Sequence, residues 1–299
     1  MALWDALYPP MDWEANRKSW PHAAHSRFVT VHGQTWHLQT FGKGPVLLLL
    51  HGTGASTHSW RDLALTLAQD HTVICPDLPG HAFSYWNTKK SNSLGHMAAG
   101  LAELLEHLNV WPSFIIGHSA GAAVGAQLIL KHTPVSDTPL IGLNPAWLPL
   151  PGLASWLFPP AAKLLAINPL SGVLFASQAA KPSVVRNLMK STGSELDEAA
   201  LSYYQRLLQT PSHVRGVLAM MAAWRLNRLS QQLHLLKGPV FMLLGGNDRT
   251  IPISLAAETM KLMPNTTSRT FAGLGHLAHE EAPEAVCVQI LEWVRQTGR

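Results

Sequence analysis

Phe114-Ile115-Ile116-Gly117-His118-Ser119-Ala120-Gly121 decides the fold of this chain. A short apolar run of buried-strand character ends in Gly-x-Ser-x-Gly, and Ala122-Ala123-Val124-Gly125-Ala126 can enter a helix directly after it. The stretch reads as strand, sharp turn and helix. Such a turn holds its central residue in a strained backbone conformation, and the flanking glycines let strand and helix approach closely enough to keep it there. Ser119 would then present its hydroxyl at the carboxyl edge of a sheet. Because Gly-x-Ser-x-Gly also arises by chance, the reading requires partners elsewhere in the chain.

Outward from this stretch, strands and helices alternate. Phe28–Val31 and Thr35–Phe41 read as a hairpin around His32-Gly33-Gln34, and Val46–Leu50 as a strand covered on both faces. A helix is expected next, with Ser59 and Asp62 as a capping box and Leu63, Leu65 and Leu67 as apolar positions. Thr72–Cys75 is a strand, Leu94–Leu108 an amphipathic helix, and Leu140–Leu143 a further strand. This rhythm predicts an α/β fold with a mostly parallel central sheet and helices on both faces. From Pro145 to about Leu236 it stops, leaving many prolines and helix-like pieces at Ala161–Ile167, Leu196–Leu208 and Val214–Leu226. It resumes with a strand at Pro239–Gly245, a helix near Ser254–Met263, a strand at Ser268–Phe271 and a helix at Pro283–Val294. The expected division is an N-terminal extension (1–26), an α/β core (27–144 and 237–299) and a helical cap insertion (145–236). The extension is expected to pack irregularly on the surface or against a partner.

A serine hydroxyl needs an imidazole to take its proton, and the imidazole needs a carboxylate to hold its tautomer. Gly245-Gly246-Asn247-Asp248 follows one late strand and Gly273-Leu274-Gly275-His276 follows the next. Ser119, Asp248 and His276 are therefore the candidate nucleophile, acid and base, in an order that suits strand ends. Two backbone N–H groups should face the developing oxyanion, and Thr53, in His51-Gly52-Thr53-Gly54, and Ala120 are the candidates. Asp77, in Pro76-Asp77-Leu78-Pro79-Gly80, is an alternative acid that reads more simply as a turn residue. His276 and His279 have a His-x-x-His spacing without a third ligand, so no metal centre is expected. No cofactor is expected either.

The 299 residues are 47% hydrophobic and only 13% charged, which supports a large core and argues against disorder. Cys75 and Cys287 stand far apart in apolar settings and are expected to be buried free thiols, as suits a reducing compartment. The N-terminus lacks the bases and apolar core of an export signal, so a cytoplasmic setting is expected. The net charge of +4 is unevenly placed. Residues 145–236 hold eight bases and three acids, and the remainder fourteen bases and fifteen acids. No basic run exceeds two residues, so nucleic acid is not an expected partner.

Gly52-Thr53-Gly54, Asp77-Leu78-Pro79-Gly80-His81, Gly117-His118-Ser119-Ala120-Gly121, Asp248-Arg249 and Gly275-His276 together resemble the α/β-hydrolase superfamily over nearly the whole chain. Ala82 breaks the usual Gly-x-Gly-x-Ser pattern at a position without a catalytic role. A closer resemblance rests on His51–Trp60, Leu148–Gly152, Leu157–Pro160, Ser191-Thr192-Gly193-Ser194, Leu218–Ala222 and Gly273–Glu281. These are similar to the magnesium-chelatase accessory proteins of bacteriochlorophyll biosynthesis. That resemblance implies a role beside insertion of Mg²⁺ into protoporphyrin in a photosynthetic bacterium, with chelatase subunits as partners. Between Thr138 and Ser194 there is no acid, while Trp147, Trp156, Phe158, Phe175 and many leucines are interspersed with Lys163, Lys181, Arg186 and Lys190. Such a surface suits a flat apolar molecule bearing carboxylates, such as a tetrapyrrole, or another hydrophobic small-molecule substrate. Peripheral membrane contact through Leu153–Phe158 is a further expectation, and the prolines here exclude a spanning helix. A general serine esterase with no chelatase link is the alternative.

Overall fold

The computed structural model describes residues 8, 10–85, 92–150, 165, 168, 170–179 and 181–298. Strands β1 (Ser26–Val31) and β2 (Gln34–Phe41) pair antiparallel across His32 and Gly33, both at positive φ (47° and 76°), as a two-residue hairpin loop requires. Six further strands follow: β3 (Val46–Leu50), β4 (Thr72–Pro76), β5 (Phe114–His118), β6 (Leu140–Leu143), β7 (Val240–Gly245) and β8 (Thr266–Phe271). Their spatial order is β1-β2-β4-β3-β5-β6-β7-β8. Only β2 runs antiparallel to its neighbours, so β4 through β8 form the expected parallel sheet.

The apolar runs bury both faces by simple alternation. In β3, Leu48 and Leu50 meet α2 (Leu94–His107) and α3 (Ala120–Lys131), through Leu101, Leu105 and Val124 among others. Leu47 and Leu49 face the other way, toward α1 (Arg61–Leu67) and the C-terminal helix Pro283–Gln296, where Leu63, Ile290 and Trp293 complete the layer. Cys75 and Cys287 are buried and free in this second layer.

Between β6 and β7 lie α4 (Ser171–Gln178), α5 (Pro182–Ser191), α6 (Glu198–Leu208), α7 (Pro211–Ala223) and α8 (Asn227–Gln232), with no strand among the described residues. Helices α5 and α6 pack on the loops above the sheet: Val185, Met189, Leu201 and Tyr204 share an apolar cluster with Ala55 and Leu277. The helix α9 (Ser254–Leu262) and the C-terminal helix, α10, fall where the sequence places them. The helical piece expected at 161–167, apart from Leu165, and the Leu153–Phe158 stretch lie outside the described residues. No helix among the described residues is long and apolar enough to cross a membrane.

Two local expectations are corrected. The capping box between Ser59 and Asp62 does not form, because a 3-10 turn (Thr57–Trp60) precedes α1 and the Ser59 hydroxyl donates to the Ser56 carbonyl within it. Asp62 pairs instead with Arg61 Nε at 3.1 Å. Leu65 is 51% exposed, since Leu63 and Leu67 stand four apart on one helical face and Leu65 lies opposite. The N-terminal stretch is also less peripheral than expected. Trp20 is 3% exposed, packs with Phe83 and Leu207, and donates Nε1–H to Thr57 Oγ1 at 3.3 Å.

Candidate active site

The site is built from the carboxyl ends of four adjacent strands, where an open α/β sheet places its ligands. Ser119 follows β5, Asn144 follows β6, Asp248 follows β7 and His276 follows β8. Ser119 has φ 51° and ψ −116°, a conformation that costs about 1–3 kcal/mol and must be imposed by its surroundings. Close approach imposes it. A Cβ on Gly117 would fall 2.4 Å from Ala122 N, and one on Gly121 would fall 2.1 Å from the Leu50 carbonyl oxygen. The backbone of Ser119 is tied as well: its N–H donates to Leu143 O at 2.9 Å, and its carbonyl accepts from Ala122 N and Ala146 N, each at 3.1 Å.

Asp248 receives four bonds. Oδ1 accepts from Thr250 N (2.7 Å) and Ile251 N (2.9 Å), while Oδ2 accepts from Asn144 Nδ2 (2.7 Å) and pairs with His276 Nδ1 (2.7 Å). That is a full complement for an acceptor-only carboxylate, and it assigns the imidazole proton to Nδ1, leaving Nε2 as the free acceptor. The structure thus brings Asp248 and His276 together directly. Among the described residues no hydrogen bond yet joins Ser119 Oγ to His276 Nε2, a link that is often loose in unliganded sites.

The loop after β3 lies against the serine. A Cβ on Gly52 would sit 2.6 Å from His118 Nδ1 and 3.3 Å from Ser119 Cβ. Its preceding residue is locked, because His51 Nε2 accepts from Leu78 N (2.9 Å) and Nδ1 bonds to Gly52 O (2.8 Å). Burial holds the His51 pKa below its ordinary value, so it is neutral. Thr53 is exposed, with its hydroxyl toward Met220 Sδ of α7 at 3.8 Å. Ala120 opens α3, so its N–H has no acceptor within the helix.

Asp77 belongs to a different histidine. Fully buried, it pairs with His37 Nδ1 at 2.7 Å and accepts from Thr57 N at 2.7 Å and Phe83 N at 3.3 Å. Burial pushes its carboxyl upward, but His37, His51 and the Thr57 amide outweigh that and bring it below the usual carboxylate range. It therefore organises the turn after β4. The His279 ring packs at a tilt against both Trp60 and His118, with ring centroids 5.0 and 4.5 Å away.

Three supports have no counterpart in the sequence reading. Asn144, at φ 45°, donates to the acid, and the only signal for it was an amide side chain just past a buried strand. His118 Nε2 bonds to the His276 carbonyl at 2.9 Å, tying the residue before the serine to the histidine loop. Burial first, then the neighbouring His279 and His276, holds His118 well below the ordinary imidazole range, so Nε2–H is the donor of a neutral ring. Finally Glu280, in the turn after His276, pairs with Arg61 Nη1 at 2.7 Å and accepts from Tyr204 Oη at 2.6 Å. This buried cluster fastens α1 and α6 to the histidine loop.

Fold and site together define a class: the α/β-hydrolase fold family model matches residues 45–283, and the chain belongs to that family. Within it, the chain is 40% identical over 286 residues, 95% of its own length and 99% of the other's, to the magnesium-chelatase 30 kDa subunit of Rhodobacter capsulatus. Among solved structures it resembles an epoxide hydrolase from Vigna radiata, with a TM-score of 0.72 at 21% identity, over 91% of this chain and 98% of that one. An α/β-hydrolase-fold protein from Burkholderia ambifaria superposes with a TM-score of 0.70 at 24% identity, over 90% and 100% of the two chains.

Proposed function

We propose that this chain is a serine hydrolase of the α/β fold that serves as a magnesium-chelatase accessory factor in bacteriochlorophyll biosynthesis. Ser119 attacks an acyl or related centre, His276 Nε2 takes the proton and returns it to the leaving group, and Asp248 orients the imidazole. The N–H groups of Thr53 and Ala120 receive the oxyanion. Residues 145–236 act as a cap that admits a hydrophobic ligand with carboxylates, of which a protoporphyrin-type tetrapyrrole is the expected member. The observation that carries the chemistry is the Asp248 carboxylate, saturated by Asn144, Thr250 and Ile251 and bonded to His276 Nδ1 at 2.7 Å. Such an arrangement fixes the one tautomer able to activate a serine. The pathway assignment is supported by the 40% identity to the Rhodobacter capsulatus subunit. Exposed Leu170, Val173, Leu174 and Phe175 on and beside α4 support an apolar partner for the cap, whether ligand, chelatase subunit or membrane surface.

The 40% identity to a protein named as a chelatase subunit supports a second reading, in which the protein binds and delivers the tetrapyrrole while the triad is idle. Fluorophosphonate labelling and genetic complementation decide between them. The enzyme reading expects labelling at Ser119 and loss of pigment synthesis with Ser119→Ala. Full rescue of pigment by Ser119→Ala would refute it. Delivery expects a change in protoporphyrin fluorescence on titration with the protein, and an unchanged signal removes it. Flotation with liposomes tests the peripheral membrane contact, which fails if the protein stays in solution.

A further inference from the structure

The Ser191–Ser194 stretch has no part in the chemistry above. Its first hydroxyls merely finish α5: Ser191 Oγ donates to Leu188 O and Thr192 Oγ1 to Met189 O. The next atoms along reach across to both loops that carry the acid and the imidazole. The Thr192 carbonyl accepts from Arg249 N, the amide directly after the acid, at 3.0 Å, and from His276 N itself at 3.4 Å. Ser194 is 0% exposed, and its Oγ accepts from Leu277 N, the amide directly after the imidazole, at 2.8 Å. Between them Gly193 stands at φ 87°, where a Cβ would fall 2.0 Å from the Asn247 carbonyl oxygen. Glu195 N then donates to Glu281 Oε2 (3.2 Å), whose Oε1 receives Gly275 N (2.8 Å).

We propose that Thr192-Gly193-Ser194 is a clasp through which α5 and α6 set the spacing of the Asp248 and His276 loops, with Ser194 as a positioning residue for His276. The inference rests on the reading of Ser119, His276 and Asp248 as a triad. His276 is held at its ring by Asp248 and along its backbone by Thr192 and Ser194. Loss of the Ser194 acceptor leaves the buried Leu277 N–H unpaired, and the backbone that aims the ring relaxes. A misplacement of about 1 Å in a catalytic group costs on the order of 100-fold in rate. Because the clasp joins α5 to α6, a ligand that displaces those helices also displaces the imidazole. The helical segment then regulates the site besides covering it.

The test compares the full-length protein with Ser194→Ala and with Ser191→Ala as a matched control. Three quantities are measured: fluorophosphonate labelling rate at Ser119, melting temperature, and the downfield proton resonance of the His276 Nδ1–Asp248 bond. Ser194→Ala is expected to slow labelling by about 10- to 100-fold and to shift or broaden that resonance, with melting changed by only a few degrees. Ser191→Ala should match the parent in all three. A Ser194→Ala protein with a labelling rate within about twofold of the parent and an unchanged resonance overturns the clasp. If the parent protein does not label, the triad reading fails, and the resonance alone still decides whether Ser194 positions His276. Should Ser194→Ala not fold, Ser194→Cys, which keeps the shape with a weaker acceptor, is expected to give an intermediate slowing; parent-like labelling and resonance there also overturn the proposal.

Discussion

Acidification is expected to unfold this protein through histidines that cannot take up a proton in place. His279 is held at about 3 and His213 at about 4, in both cases chiefly by burial. Both lie below the ordinary imidazole value of about 6.5, so between those limits the unfolded chain binds more protons than the folded one. Their contribution to stability is complete above about pH 6.5 and is lost as the pH falls toward the folded values. At about pH 5 each group has already cost about 2 kcal/mol relative to neutral pH. Neither is among the charges that depress the other, so the two costs add. His51, His58, His81 and His118 are shifted the same way, burial first. Against a total stability of about 5–15 kcal/mol, these two groups alone remove about 4 kcal/mol at about pH 5, a large share of what holds the fold. Urea midpoints at about pH 7.5 and pH 5 measure the loss, and two variants isolate it. His279→Phe keeps the ring contacts with Trp60 and His118 and forfeits no hydrogen bond, because neither ring nitrogen has a hydrogen-bond partner. His213→Asn keeps an acceptor for Ala82 N, which donates to His213 Nδ1 at 3.0 Å. Each variant should lose about 2 kcal/mol less than the parent over that pH step. Superimposed losses for all three proteins would refute the reasoning.

Asp248→Asn should slow fluorophosphonate labelling of Ser119 by about 10⁴-fold, because the amide no longer fixes the Nδ1–H tautomer; labelling within tenfold of the parent would exclude Asp248 as the orienting acid. Asn144→Ala removes one donor to Asp248 Oδ2, and a slowing of roughly 10-fold or more is expected from the loss of a charged hydrogen bond. Glu280→Gln leaves the Arg61 guanidinium without its buried carboxylate and should cost about 3 kcal/mol in chemical unfolding. Gly121→Ala would drive a methyl group to 2.1 Å from the Leu50 carbonyl, so it should yield little folded protein, read from near-UV circular dichroism of whatever is soluble.

What could be read in advance follows a physical rule. A continuous apolar run reports a buried strand, so Val46–Leu50, Phe114–His118 and Val240–Gly245 are legible as strands, and all three are buried almost throughout. Ser119, Asp248 and His276 were legible for a second reason: each follows a strand, buried before Ser119 and Asp248 and mostly exposed before His276, and the chemistry needs those three types together. Burial patterns do not say which polar group meets which. Asp77 found His37 forty positions away across an antiparallel pair, and His118 found the His276 carbonyl 158 positions away. Ser59 offered a capping spacing that Ser56 made redundant. Nothing in the sequence singles out Asn144, whose role depends on β6 lying between the strands that precede Ser119 and Asp248.

The same distinction bears on function. Ser119, Asp248 and His276 are the proposed reacting groups, while Asn144, His118, Glu280 and Ser194 tie together the loops that carry them, and none of these four is itself the proposed nucleophile, base or orienting acid. A chain could therefore keep Ser119, Asp248 and His276 and still lack a working site. Whether a relative hydrolyses its ligand or only binds it should accordingly track these supports more closely than the triad, since loss of a positioning hydrogen bond can remove orders of magnitude in rate while leaving the fold and its ligand cavity in place.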